Sequence, residues 1–185
     1  METLTSKYKV YVTNKKLSKK EFKVFQTDCV ECMKNINKNL QTCIDMFNTL
    51  IDNIGTLLAG DFPNDQTICT YSSIVSNIVK TKPLEPISLF IMNVYKNDKY
   101  REYIMQGNDN FFLNNDHKDV TNNDENTVQK MFQFKTCWTK LSHDNKDYIK
   151  NVMKTLIQVS TQYIIEKDNG NMIPIMLNDL ESFQE

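Results

Sequence analysis

The side chains best suited to chemistry in this chain are two neighbouring cysteines, two histidines and the carboxylates beside them. Cys29 and Cys32 form a C-x-x-C pair, a spacing that can present two thiolates to zinc or act as a redox dithiol. A zinc site needs two further ligands, and Cys43, Cys69, His117 and His143 supply no second pair at suitable spacing. A thioredoxin-like pair opens a helix after a strand, whereas this one lies inside a seven-residue apolar repeat. Core packing accounts for both thiols, and no metal or cofactor is expected. His143 stands four residues before Asp147, so one helical turn could bring imidazole and carboxylate together as an acid–base pair. Ser142 and Asp144 explain the same stretch as a helix start, where a side-chain oxygen and early negative charge are favoured. His117 has Asp109, Asp116 and Asp119 nearby, but the glycine and glutamate of a calcium loop are missing. No phosphate-cradling glycine loop and no G-x-S-x-G occur. A non-enzymatic protein is expected.

A second possibility is recognition of nucleic acid. Lys7, Lys9, Lys15, Lys16, Lys19 and Lys20 interleave with Tyr8 and Tyr11, and lysine neutralises phosphate while tyrosine stacks on bases. Residues 1–40 carry nine lysines against Glu2, Glu21, Asp28 and Glu31, although the whole chain has a formal charge of −1. A basic end therefore faces an acidic remainder. Arg101 is the sole arginine, which weakens base-specific readout, since arginine is the commonest reader of guanine. A solvated helix start is the preferred explanation of the lysines in a chain this rich in lysine.

The elements that would position these residues are helical. Phe22, Cys29, Ile36, Cys43, Leu50 and Leu57 recur every seven residues, interleaved with Gln26, Met33, Leu40, Phe47 and Ile54. Phe25, Ile44, Ile51 and Leu58 widen that stripe, which predicts a long helix packed among several others. Ser18 with Glu21 forms a capping box at its start, and Gly60 with Pro63 ends it. So long a helix must bend, break near Thr42 or protrude. Its first turns, with Phe22, Phe25, Cys29 and Met33, are expected to stay exposed. They would then bind a protein partner or a second copy through residues 18–40.

Further helices are expected at 66–80 and 87–95, with a shorter one at 100–105. Residues 107–126, rich in Asn and Asp, read as a surface loop pinned by Phe111 and Phe112. A hairpin of helices at 126–141 and 144–167 follows, anchored by Trp138, and Asp168, Asn169 and Gly170 are expected to end it. Upstream, the alternation in residues 8–12, YKVYV, suggests either a short edge strand or an extended arm. The expected fold is an all-α multi-helix bundle with one long heptad-patterned helix near the amino terminus. It divides into a basic arm (1–17), a helical domain (18–167) and an acidic tail (168–185).

The 185 residues suffice for one core. Neither a signal peptide nor an apolar run of the roughly 18 residues needed to span a membrane is visible. Five scattered cysteines suit reduced thiols inside a cell. With 22 asparagines, 21 lysines and one alanine, the residue usage points to a low-GC genome.

Two stretches resemble uncharacterised small helical proteins of nucleocytoplasmic large DNA viruses. Residues 134–164 carry Trp138, Leu141, Asn145, Lys146, Ile149, Met153 and Leu156 of that pattern. Residues 86–112 carry Pro86, Phe90, Tyr95, Arg101, Ile104, Phe111 and Phe112. Together they cover under a third of the chain, and Lys150 stands where the family often has a second tryptophan. The resemblance implies a viral origin, in the host cytoplasm, the virus factory or the virion, and carries no activity over to this chain. The functional expectation is a helical interaction or structural protein, with nucleic-acid binding through the lysine arm as the alternative. No membrane partner is expected.

Overall fold

The structure, a computed structural model, describes residues 1–109, 113 and 135–183. They form helices α1 (Glu2–Asn14), α2 (Lys19–Asp61), α3 (Gln66–Thr81), α4 (Glu85–Phe90), a π-helical turn (Ile91–Tyr95), α5 (Asp98–Gln106) and α6 (His143–Glu181). Residues 135–140 are also helical, and the described residues contain no β-strand. The architecture is all-α. Most of the Asn/Asp-rich stretch, with Phe111, Phe112 and His117, and the first part of the helix expected at 126–141 lie outside the described residues. The chain divides into two compact units: Met1–Cys43 with Thr161–Glu185, and Ile44–Ser160.

In the first unit, the start of α2 is set by the capping box. The Ser18 amide donates to Glu21 Oε2 at 2.9 Å, and the Glu21 amide donates to Ser18 Oγ at 3.3 Å. α2 then runs unbroken to Asp61, without the break considered near Thr42. Residues 8–12 are helical, not extended, which corrects the strand or arm expected there. The reason lies just upstream. Met1, Leu4, Tyr8, Tyr11 and Val12 recur at helical spacing, and all five join the core of this unit. The alternation loses, and Val10 is left 56 % exposed. Lys15, in the left-handed region at φ 48°, closes α1 and turns the chain so that Leu17 enters the core.

The helix end expected at Asp168, Asn169 and Gly170 is likewise corrected, because α6 continues through them to Glu181. Beyond Gly170, Ile173, Met176 and Leu180 keep the apolar spacing and are buried beside Phe22, Phe25, Cys29 and Ile36. Their burial contributes roughly 1.5–3 kcal/mol each. A mid-helix glycine costs about 1 kcal/mol and a mid-helix proline about 3 kcal/mol, so packing carries the helix past Gly170 and Pro174. Pro174 sits on the exposed side, where the loss of one backbone hydrogen bond is most easily accommodated. Tyr8 donates to Asp179 Oδ2 at 2.6 Å, joining α1 to this last stretch.

In the second unit, Tyr100, Ile104, Trp138, Leu141, Ile149 and Ile157 form the core, with Ile54, Leu57, Phe90 and Met153 packed against it. Asp65 caps α3 by accepting from the amides of Thr67 and Ile68, both at 3.1 Å. Against the other side of α3, Gly55 of α2 allows a close approach. A Cβ there would lie 3.2 Å from Ser72 Oγ. Asn97 caps α5, and Gly107, at φ 66°, ends it. Arg101 donates to the Tyr95 carbonyl at 2.7 Å and pairs with Asp98, so the single arginine fastens the end of the π turn. Asn48 donates from Nδ2 to the Pro83 carbonyl at 2.8 Å, and Phe47 meets Phe90 edge to face at 5.3 Å. Those two contacts fix the entry and the inner face of α4.

Because the tail is core, Leu180→Ala should lower unfolding stability by about 2–4 kcal/mol, whereas Ile175→Ala, on the exposed side of the same helix, should change it by under about 0.5 kcal/mol. Urea denaturation followed by circular dichroism measures both. Equal small effects would show that the tail is not packed.

Candidate functional site

The groups singled out by their chemistry have defined settings, apart from His117, Asp116 and Asp119, which lie outside the described residues. Cys29 is 1 % exposed, and its thiol is pushed up to about 11, first by burial and then by Cys32 and Asp28. It stays protonated at neutral pH and is a poor nucleophile. Cys32, half-buried, lies with its sulfur 3.5 Å from the Met1 sulfur. All five cysteines are free thiols. Among the described residues no group of three or more His, Cys, Asp or Glu is placed to hold a metal ion.

The acid–base pair considered at the start of α6 does form, with His143 Nε2 3.2 Å from Asp147 Oδ2. Both side chains are open to solvent, and Ser142 accepts from the Asn145 amide as the cap expected there. Lys150 lies 2.6 Å from Asp109 and 3.5 Å from Asp147. Its ammonium is held above the ordinary lysine range, first by the bond to Asp109, so it is no general base at neutral pH. These charges fasten the end of α5 to α6. Next to them a shallow depression is lined by Asn53, Thr56, Leu57, Gly60, Asp61, Asn145 and Tyr148. Asn145 Nδ2 donates to Asp61 Oδ2 at 2.5 Å, so the carboxylate lining it is already engaged.

One polar group escaped sequence reasoning. Glu166 is 8 % exposed in the first unit, and its Oε1 accepts from Asn39 Nδ2 and Gln162 Nε2, each at 2.9 Å. Cys43 and Tyr163 are buried too. The Cys43 thiol is raised by burial and then by Glu166, and the Tyr163 phenol by burial and then by Cys43. Neither ionises at neutral pH, so the cluster holds a satisfied carboxylate rather than an activated nucleophile. Asn39 ties α6 to α2 here, because sliding either helix would take from the buried carboxylate its donor on α2 and leave only Gln162, on α6 itself. Gln162 and Glu166, one turn apart on a face otherwise carrying Val159, Tyr163 and Ile173, were the visible signal.

The exposed strip expected at Phe22, Phe25, Cys29 and Met33 is absent. Phe22, Phe25 and Cys29 are fully buried, and Met33 packs beside them under α1 and the last turns of α6. The cover comes from segments read as an arm and a tail. Of the lysines, Lys7 pairs with Asp28 at 2.6 Å, while Lys9, Lys15, Lys16, Lys19 and Lys20 lie on the exposed side of α1 and of the α1–α2 turn. The tyrosines offered for base stacking are engaged, Tyr8 with Asp179 and Tyr11 edge-on to Phe25 at 6.0 Å. Trp138 is wholly buried in the second unit.

Among the exposed apolar side chains of the described residues is a short stripe on α4 and the π turn. Ile87 and Ile91 point inward, while Leu89 and Met92 stay 44 % and 57 % exposed, with Leu84 exposed just before them. Lys96 follows one turn beyond Met92 and is exposed. The sequence pattern placed a helix here but did not separate its two faces.

No family model, no curated protein and no solved structure matches this chain. Its function must be argued from the geometry above.

The setting of Cys29 has a measurable consequence in alkali. The unfolded thiol ionises near its ordinary value of 9.0, before the folded one near 11. The contribution of the buried thiol is thus complete below pH 9 and lost as pH rises toward 11, by at most about 3 kcal/mol. Denaturation curves from pH 8 to 11 should fall more steeply for the wild type than for Cys29→Ala. Parallel curves would contradict the burial.

Proposed function

We propose that this is a non-enzymatic protein that works by association of helical surfaces. The observation carrying this reading is the apolar pair Leu89 and Met92, with Leu84 just before the helix, left exposed although Ile87 and Ile91 on the segment's other face are buried. Apolar side chains grouped on an ordered helix are the kind of surface that a partner helix covers. The groups suited to catalysis are held protonated, satisfied or open to water, which supports the same reading. The low-GC residue usage and the resemblance to large DNA virus proteins suggest an infected cell as the setting, in cytoplasm, virus factory or virion. Self-association first expected at residues 18–40 moves to the second unit, because the earlier strip is covered.

The test is chemical crosslinking of the full chain in cells expressing the wild type, Leu89→Glu with Met92→Glu, or Val30→Glu as an exposed control. Crosslinked adducts should vanish only for the stripe variant. Adducts unchanged by it would overturn the proposal, as would tight DNA or RNA binding that falls steeply between two salt concentrations.

A further inference from the structure

The outward face of residues 85–96 has a symmetry that names its occupant. In order it presents Glu85 and Ser88, both part-exposed, then the exposed Leu89, Met92, Asn93 and Lys96, while Ile87 and Ile91 are buried. About a midpoint between Phe90 and Ile91, Glu85 is the counterpart of Lys96, Ser88 of Asn93, and Leu89 of Met92. An acid matches a base, a hydroxyl matches an amide, and an apolar side chain matches another. The π turn keeps Lys96 in line with this face, its amide donating to the Ile91 carbonyl five residues back at 3.1 Å. Chain turns at Pro83 and Asn97 bound the helical stretch on both sides, so the matched residues use its full length.

We propose that this face pairs with the same face of a second copy, antiparallel about a two-fold axis; this rests on the interaction reading above. Under that symmetry each Glu85 meets the partner's Lys96, each Ser88 meets the partner's Asn93, and Leu89 and Met92 interleave at the centre. An isologous contact demands this self-complementarity, whereas a foreign helix does not. Parallel pairing would set Glu85 on Glu85 and Lys96 on Lys96, which like-charge repulsion disfavours. The in-chain link from Lys82 to Glu85, 3.2 Å long, is open to water on both sides and can be shared or exchanged. Two stretches this short bury well under the roughly 1,200 Å² of a standard complex. The dimer is therefore weak and concentration-dependent.

Sedimentation equilibrium of the full chain up to millimolar concentration tests it with a charge swap. The wild type should dimerise reversibly, and Glu85→Lys or Lys96→Glu alone should raise the dissociation constant about tenfold, turning two attractive contacts repulsive. An equimolar mixture of the two single variants, and the double variant, should recover wild-type affinity to within about threefold, because each then restores opposite charges at both contacts. Both positions are on the surface, and unchanged melting curves will show that the fold is intact. A wild type monomeric throughout, a dimer indifferent to the single swaps, or a mixture that fails to recover would each overturn the pairing. A monomeric wild type would leave the crosslinking comparison free to support or reject a different protein partner.

Discussion

The apolar stripe of α2 has to be kept from water along its whole course, and the rest of the chain is disposed to meet that demand. In the first unit α1 and the last turns of α6 lie over Phe22, Phe25, Cys29 and Ile36. In the second, the residues around Trp138 take in Ile54, Leu57 and Leu58. The burial of these side chains outweighs local preferences wherever the two conflict. Alternation in residues 8–12 gives way to helix, and a glycine and a proline are drawn into α6, because each exception places several apolar groups in a core.

Much of this was legible in the residues. Capping signals at Ser18 and Ser142 rest on short-range hydrogen bonds that few neighbours can alter, and both form as their residue types suggest. The stripe of α2 spans enough turns to reveal its period. What stayed hidden were features settled by contacts far apart in sequence. Gly170 and Asp168 look like a helix end until Ile36 is known to lie opposite, close enough that a Cβ added at Gly170 would meet it at van der Waals distance. Phe22 and Phe25 look like a binding strip until Leu4 and Leu180 are known to cover them.

The functional residues follow the same division. The thiols and His143 drew notice by chemical type, yet their surroundings make them packing or surface groups. Glu166 attracted none, because a glutamate on a long helix is commonly solvated, and only Asn39, distant in sequence, shows that it is enclosed. A buried carboxylate satisfied by two neutral amides is a device for choosing one helix alignment among several. The outward stripe of α4 carries the opposite information: the residues that stabilise the segment point in, which leaves the opposite face open to selection for other purposes.

The discontinuous make-up of the first unit bears on synthesis. Residues 44–160 form a contiguous unit and can fold as soon as they emerge, whereas Tyr8 must await Asp179 across 171 positions. At roughly 5–20 residues per second, the ribosome needs on the order of ten seconds to pass from the end of the amino-terminal piece to the segment that completes it. Throughout that interval the phenylalanines of early α2 lack part of their cover. The newborn chain is then most prone to aggregate, and a chaperone has its clearest reason to hold it.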